Sequence, residues 1–61
     1  MNLHHRAVIM GWNNTSLFVQ SVYDIGFPWN TKWQDSESVM KVYDEMLKKY
    51  ENVKVEVRDA G

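Results

Sequence analysis

Aromatic side chains are the chemistry this sequence offers most freely. The stretch Ile25-Gly26-Phe27-Pro28-Trp29-Asn30-Thr31-Lys32-Trp33 holds three large aromatics, the only proline and one of three glycines. Phe27, Trp29 and Trp33 are wide and rigid, and Trp is enriched among the few residues that carry most of an interface's binding energy. Asp35 and Glu37 follow, and carboxylates there would complement a basic partner surface, chiefly by speeding encounter. The same aromatics would also serve to seal the open end of a tiny core, because a short chain needs large side chains to fill its interior. The residue types leave both roles open.

Catalytic and metal chemistry is thin by comparison. His4 and His5 are the only histidines. Neighbours on a strand point to opposite faces, so the pair would not converge on one metal ion and is expected to be solvated. No phosphate-binding glycine loop and no nucleophile elbow occurs, and nothing places Ser, His and Asp together. Asp44-Glu45 and Asp35/Glu37 read as solvated carboxylates on the polar side of a helix. With no cysteine there is no thiolate metal site and no cysteine nucleophile. The expectation is a binding protein rather than an enzyme, with no cofactor and no metal.

Composition narrows the partner. A chain of 61 residues is one domain, and a domain this small buries only about 60% of the surface its unfolded chain exposes. Small secreted domains usually carry disulfides, so their absence favours a reducing cytoplasm. The run Ala7-Val8-Ile9-Met10 is too short for a signal core and far too short to span a bilayer. Seven Lys/Arg against eight Asp/Glu give a net charge of −1, without the basic stripe of a nucleic-acid binder. Asn13-Asn14-Thr15 and Asn14-Thr15-Ser16 have the form of glycosylation acceptors. Without a secretory signal they read as turn residues.

These residues need elements to hold them. Arg6 to Trp12 reads as a strand covered on both faces. Asn13-Asn14-Thr15-Ser16 is turn chemistry, and Leu17 to Tyr23 is rich in β-branched and aromatic residues, so a hairpin over about residues 4–24 is expected. A rival reading caps a helix at Thr15 or Ser16 and ends it near Gly26 and Pro28. The aromatic segment is then a loop over 25–35. Ser36 to Tyr50 is the firmest element: Val39, Met40, Tyr43, Met46, Leu47 and Tyr50 form an apolar stripe at helical spacing. Asp35 or Ser36 caps it, Glu37 and Lys48/Lys49 suit its dipole, and Asn52 offers a left-handed stop. Val53-Lys54-Val55-Glu56-Val57-Arg58 alternates as a half-exposed strand does. Asp59-Ala60-Gly61 is a short tail expected to fray.

The expected fold is α+β, β-β-α-β. It is a three-stranded antiparallel sheet in the order 2-1-3, with one helix packed on one face through Tyr43, Met46, Leu47 and Tyr50. One helix covers only one face, yet the first strand is apolar on both. Either Ala7/Ile9 or Val8/Met10/Trp12 must therefore meet loop aromatics, a partner or water.

The hairpin residues Ala7-Val8-Ile9-Met10-Gly11-Trp12, a polar turn and Ser16-Leu17-Phe18 resemble the N-terminal hairpin of the Dmd family. These are the small antitoxins that T-even-type phages make early in infection. The likeness extends over the whole chain in length, in a Trp before the helix and in a Val-rich last strand with an Asp/Arg/Gly-containing tail. The second half departs in detail, and the last strand lacks the cysteines of the family's best-known member.

The resemblance implies a phage antitoxin, acting in the host bacterial cytoplasm, that binds endoribonuclease toxins of the RnlA/LsoA type. Inhibition would be stoichiometric, by protein contact that occludes the toxin's RNA groove and spares phage mRNA. The family's toxin-contacting Trp lies between hairpin and helix. Counting from the helix, Trp33 takes that place; counting from the hairpin, Trp29 lies closer. The resemblance points to one Trp; with the aromatic loop and the neighbouring carboxylates, the expected toxin-binding set is Trp33, Trp29, Phe27, Asp35 and Glu37, Trp33 leading and Trp29 and Phe27 packing in support. No nucleic acid or membrane partner is expected, and the free protein is expected to be a monomer, although a dimer through the uncovered sheet face is conceivable. The alternative is a phage or bacterial accessory module that binds another host protein through the same loop.

Overall fold

The most apolar segment of the chain takes the centre of a sheet. The structure, a computed structural model, describes residues 4–59 (the side chain of His4 excepted). Strand β1 is His4–Trp12, β2 is Ser21–Pro28 and β3 is Asn52–Asp59; a 3-10 turn, Trp33–Asp35, leads into helix α1, Glu37–Lys49. The strands pair antiparallel in the order β2-β1-β3. This is the expected β-β-α-β fold with the expected strand order.

Close approach of helix to sheet fixes which face is covered. A Cβ on Gly11 would stand 2.7 Å from Tyr50 Cδ2 and 2.8 Å from Met46 Cε. Gly11 therefore lies beneath α1, and by alternation so do Ile9 and Ala7. Ala7, Ile9, Phe27, Val39 and Met46 form the buried core, ringed by Ile25, Trp33, Val42, Tyr43, Tyr50, Val53 and Val55. Each large side chain fully removed from water contributes about 1.5–3 kcal/mol, so these few residues carry much of a small domain's stability. Leu47, on the sequence stripe, is instead exposed, while Val42 packs on the core.

Capping explains where the helix begins and ends. Ser36 is the N-cap, its Oγ accepting from the Val39 N–H, with Glu37 in the first turn and Lys48 and Lys49 in the last. The stop does not use Asn52. Tyr50 leaves the helix in an extended conformation (φ −124°, ψ 147°), its N–H still donating to Met46 O, and Asn52 already opens β3.

The second strand lies further along the chain than its residue types suggest. It pairs from Gly11 opposite Ser21 to His4 opposite Pro28, so residues 17–20 are connection and residues 25–28 are strand. Two causes act. In the connection, Ser16 Oγ accepts from the Phe18 N–H (3.2 Å) and donates to Phe18 O (2.7 Å). Such local bonds compete with a ladder. At the other end, Gly26 and Pro28 do not break the strand because β2 is an edge, where the missing proline N–H is tolerated. Alternation there sends Ile25 and Phe27 to the core. The 25–35 loop is thus shortened to the connection that follows Pro28, and the helical reading of 15–25 is excluded. Asp59 ends β3 in register with His5; Ala60 and Gly61 lie outside the described residues.

Candidate functional site

The structure divides the expected contact residues between interior and surface. Phe27 is only 3% exposed, in β2, with its ring 5.5 Å from that of His5. It is a core residue and presents no surface to a partner. Trp33 opens the 3-10 turn, half-buried, with its ring edge-on to Tyr43 at 5.3 Å. Trp29 is 56% exposed. It sits in a turn closed by the Thr31 N–H donating to Pro28 O at 3.0 Å. Asp35 at the end of the 3-10 turn and Glu37 in the first helical turn are both exposed. The segment 29–37 thus offers an indole and two carboxylates to solvent, on a base fixed by Trp33.

His5 is not solvated as expected. It is part-buried on the helix side of β1 against Phe27, and its Nδ1 lies 2.7 Å from Asp59 Oδ1. That nitrogen is buried without a hydrogen bond, so the contact is one of proximity rather than of hydrogen-bond alignment. The side chain of His4 lies outside the described residues.

A second surface is the sheet face that one helix cannot cover, the Val8/Met10/Trp12 face of the two weighed from the sequence. The open face carries Arg6, Val8, Met10 and Trp12 on β1, with Val22 opposite Met10 and Asp24 opposite Val8 on β2, and Lys54, Glu56 and Arg58 on β3. Its two halves differ. In one half Arg6 donates through Nε (2.9 Å) and Nη2 to the two oxygens of the Asp24 carboxylate, and Arg58 lies 3.5 Å from Glu56. Val8, with Asp24 opposite it on β2 and Glu56 on β3, is buried among these charged residues. The other half is apolar. Trp12 and Val22 adjoin the 13–20 connection, whose Leu17 and Phe18 are 92% and 78% exposed. Trp12, Ser16, Leu17, Phe18 and Val19 line a shallow concavity of about 150 Å³.

This connection is held rather than loose. Gln20 N–H donates to Gly11 O at 2.9 Å, and Ser16 N–H to Asn13 O at 2.9 Å. The Asn13 N–H donates to Gln20 Oε1 at 2.9 Å. The Glu51 carboxylate accepts from Asn14 N–H (3.0 Å) and Asn14 Nδ2 (3.3 Å), while Glu51 N–H donates to Asn13 Oδ1 (3.0 Å). Asn52 Nδ2 donates to Asn14 Oδ1 at 2.6 Å. The asparagines are turn residues, as read from their types. They also clasp the hairpin end to the junction of α1 and β3. The signal that could have found this arrangement is Ser16 two residues before Phe18, the spacing of a side-chain-closed turn.

The chain matches no family model, no curated protein and no solved structure. The likeness to the Dmd antitoxins therefore rests on the residues that suggested it, and of these Ser16-Leu17-Phe18 fall in the connection, not in a strand. Among the described residues, no group of three or more His, Cys, Asp or Glu is placed to hold a metal ion. No helix there is long and apolar enough to cross a membrane. The chemistry the arrangement offers is non-covalent recognition through aromatic and aliphatic side chains flanked by fixed polar groups.

Proposed function

We propose that this protein is a phage antitoxin that binds an endoribonuclease toxin of the RnlA/LsoA type and blocks its RNA groove. Segment 29–37 is the inserting surface. Trp29 enters the groove, Asp35 and Glu37 face its basic RNA-binding wall, and Trp33 and Phe27 hold the segment from within. The observation that carries the reading is the exposed indole of Trp29 on a hydrogen-bonded turn, beside a 3-10 turn pinned by Trp33. A side chain presented on a rigid base loses little freedom on binding, which favours affinity. The hairpin resemblance supplies the partner class. The lead contact passes from Trp33 to Trp29 because a half-buried indole packed on Tyr43 cannot enter a groove without unpacking its own domain.

The test mixes purified protein with RnlA- and LsoA-type toxins and follows complex formation and RNA cleavage. A stoichiometric complex with loss of cleavage is expected, weakened by Trp29→Ala. Binding to neither toxin class sinks the reading. Capture of a different host protein through Trp29 would favour the accessory-module alternative.

A further inference from the structure

We propose that the free edge of β3 pairs with β3 of a second copy of this chain, antiparallel about a two-fold axis between the two Val55 residues, so that Lys54 and Glu56 of each copy face Glu56 and Lys54 of the other. This goes beyond the antitoxin reading and stands without it.

The edge has backbone groups to offer. β1 is paired on both sides, so β2 and β3 are the edges of the sheet, and among the described residues no strand pairs with the outer side of β3. β2 ends at Pro28, which has no N–H to give a further strand. β3 runs from Asn52 to Asp59 with neither proline nor glycine. In an antiparallel ladder the backbone groups of alternate residues turn to opposite sides. Half of those in β3 therefore turn away from β1, a row of donors and acceptors that an added strand can satisfy.

Charge selects the occupant and the register. A two-fold axis normal to the sheet keeps each face on its own side, so directly opposed residues come from the same face. Only registers centred on a residue are then possible. Centred on Val55, Lys54 faces Glu56 of the second copy, and symmetry supplies the reciprocal pair. Opposite charges directly across a ladder are favourable, and like charges are not. Centred on Glu56, two glutamates meet and Lys54 faces Arg58; centred on Lys54, two lysines meet. Centring on Val57 sets Glu56 against Arg58 but keeps only residues 55–59 of the strand in the ladder, where centring on Val55 keeps 52–58. Charged side chains on an edge repel unmatched strands. Here the same charges, spaced two apart with opposite signs, match a second copy of themselves.

The helix side of β3 fits the same register. Val53, Val55 and Val57 stand opposite Gly11, Ile9 and Ala7 of β1. Val53 and Val55 pack on the core, whereas Val57 is left 47% exposed. Centred on Val55, Val57 meets Val53 of the second copy and the two Val55 side chains meet each other, so the valine row continues from one sheet into the next. Two three-stranded sheets become one continuous sheet with both helices on the same side. Small domains with neither disulfide nor metal commonly gain burial by association. Trp29 follows β2, the other edge, and takes no part in the contact.

A single strand edge buries less than the roughly 800 Å² per partner of a standard interface, so a weak dimer is expected. Sedimentation equilibrium of the intact chain from roughly 10 µM to 1 mM should show a monomer–dimer equilibrium. Lys54→Glu alone and Glu56→Lys alone should each raise the dissociation constant at least about 10-fold, because each sets like charges opposite one another twice. Mixed together, the two variants should associate again, since every opposed pair is then Glu against Lys. In the unaltered protein, amide exchange at alternate residues of β3 should slow as concentration rises, a readout that needs no variant. A monomer throughout the range overturns the proposal. So does a dimer whose two variants fail to associate on mixing, or whose β3 amides exchange at the same rate at every concentration.

Discussion

Trp33 stands edge-on to Tyr43, ring centroids 5.3 Å apart and planes inclined at 63°. The contact ties the 3-10 turn to the helix that follows it, since Tyr43 lies in the second turn of α1. It makes one indole structural and leaves the neighbouring indole, Trp29, free to face outward. The division follows from chain position. Trp29 leaves an edge strand into a turn, whereas Trp33 opens a 3-10 turn that leads directly into the helix.

Replacing Trp33 with alanine should therefore destabilise the fold. The loss combines a half-buried indole with an edge-to-face aromatic pair, which is worth about 0.5–1.5 kcal/mol beyond its area. A total of about 2–3 kcal/mol is expected, below the 3–5 kcal/mol of a fully buried large aromatic. Urea denaturation monitored by circular dichroism reads it. An unchanged midpoint would mean that Tyr43 does not support the turn.

Trp29→Ala should do the reverse. With its side chain mostly in water, stability should shift by less than about 0.5 kcal/mol. Toxin inhibition should fall by at least about 10-fold, the scale of a hot-spot residue. Titration of toxin RNA cleavage alongside a melting curve separates the two quantities. Equal losses in both would return Trp29 to a structural role.

Asp35→Asn with Glu37→Gln should slow toxin association without changing dissociation. Exposed charges at the edge of a contact steer encounter more than they hold the complex. The effect should shrink as salt rises, because screening shortens the reach of the two carboxylates. Surface plasmon resonance at low and high ionic strength reads both rates. A change confined to the dissociation rate would place these groups inside the contact.

Much of the architecture was legible because burial is periodic. Val39, Tyr43, Met46 and Tyr50 recur at helical spacing, and Val53, Val55 and Val57 alternate, so α1 and β3 follow from the pattern, and their caps from Ser36 and the charged ends. The slip in β2 has a different origin. Leu17, Phe18 and Val19 have strand-forming side chains, but Ser16 diverts the backbone through its own hydroxyl. Gly26 and Pro28 look like breakers but are harmless on an edge. Propensity describes a residue alone, whereas register is set by which alternation reaches the core. Phe27 is buried and Leu17 exposed, so the paired stretch runs on to Phe27 and leaves Leu17 outside it. The same slip hid the exposed tip at Leu17 and Phe18, since a strand there would have paired both residues into the sheet.

Glu51→Ala should loosen the hairpin end while barely moving global stability. The carboxylate is exposed, so its hydrogen bonds to Asn14 contribute no more than about 1 kcal/mol. Locally the effect is larger, because Asn14 N–H loses its acceptor at 3.0 Å. Hydrogen exchange at Asn14 should quicken, while the Phe18 amide, bonded to Ser16 Oγ, keeps its protection. Uniform loss of protection across the chain would show that the clasp is part of global stability rather than a local fastening.

Gly11→Ala tests how helix and sheet are fitted together. The added methyl would stand 2.7 Å from Tyr50 Cδ2 and 2.8 Å from Met46 Cε, inside any real contact. Met46 can swing its terminal methyl aside, but the Tyr50 ring is tethered through its hydroxyl to Ser21 Oγ. The ring cannot swing aside about its Cα–Cβ bond without breaking that contact, and turning in place leaves Cγ, 3.0 Å from the new methyl, where it is, so the helix end must lift. Overpacking of this kind costs about 1–3 kcal/mol, more than the gain of alanine over glycine within a strand, about 0.5–1 kcal/mol. A net loss is expected in urea denaturation. Cutting the tether with Ser21→Ala should lower the cost of Gly11→Ala, so the pair should be non-additive by about 0.5 kcal/mol or more. Strict additivity would mean that Met46 alone yields, and that the hydroxyl contact does not hold the ring over Gly11.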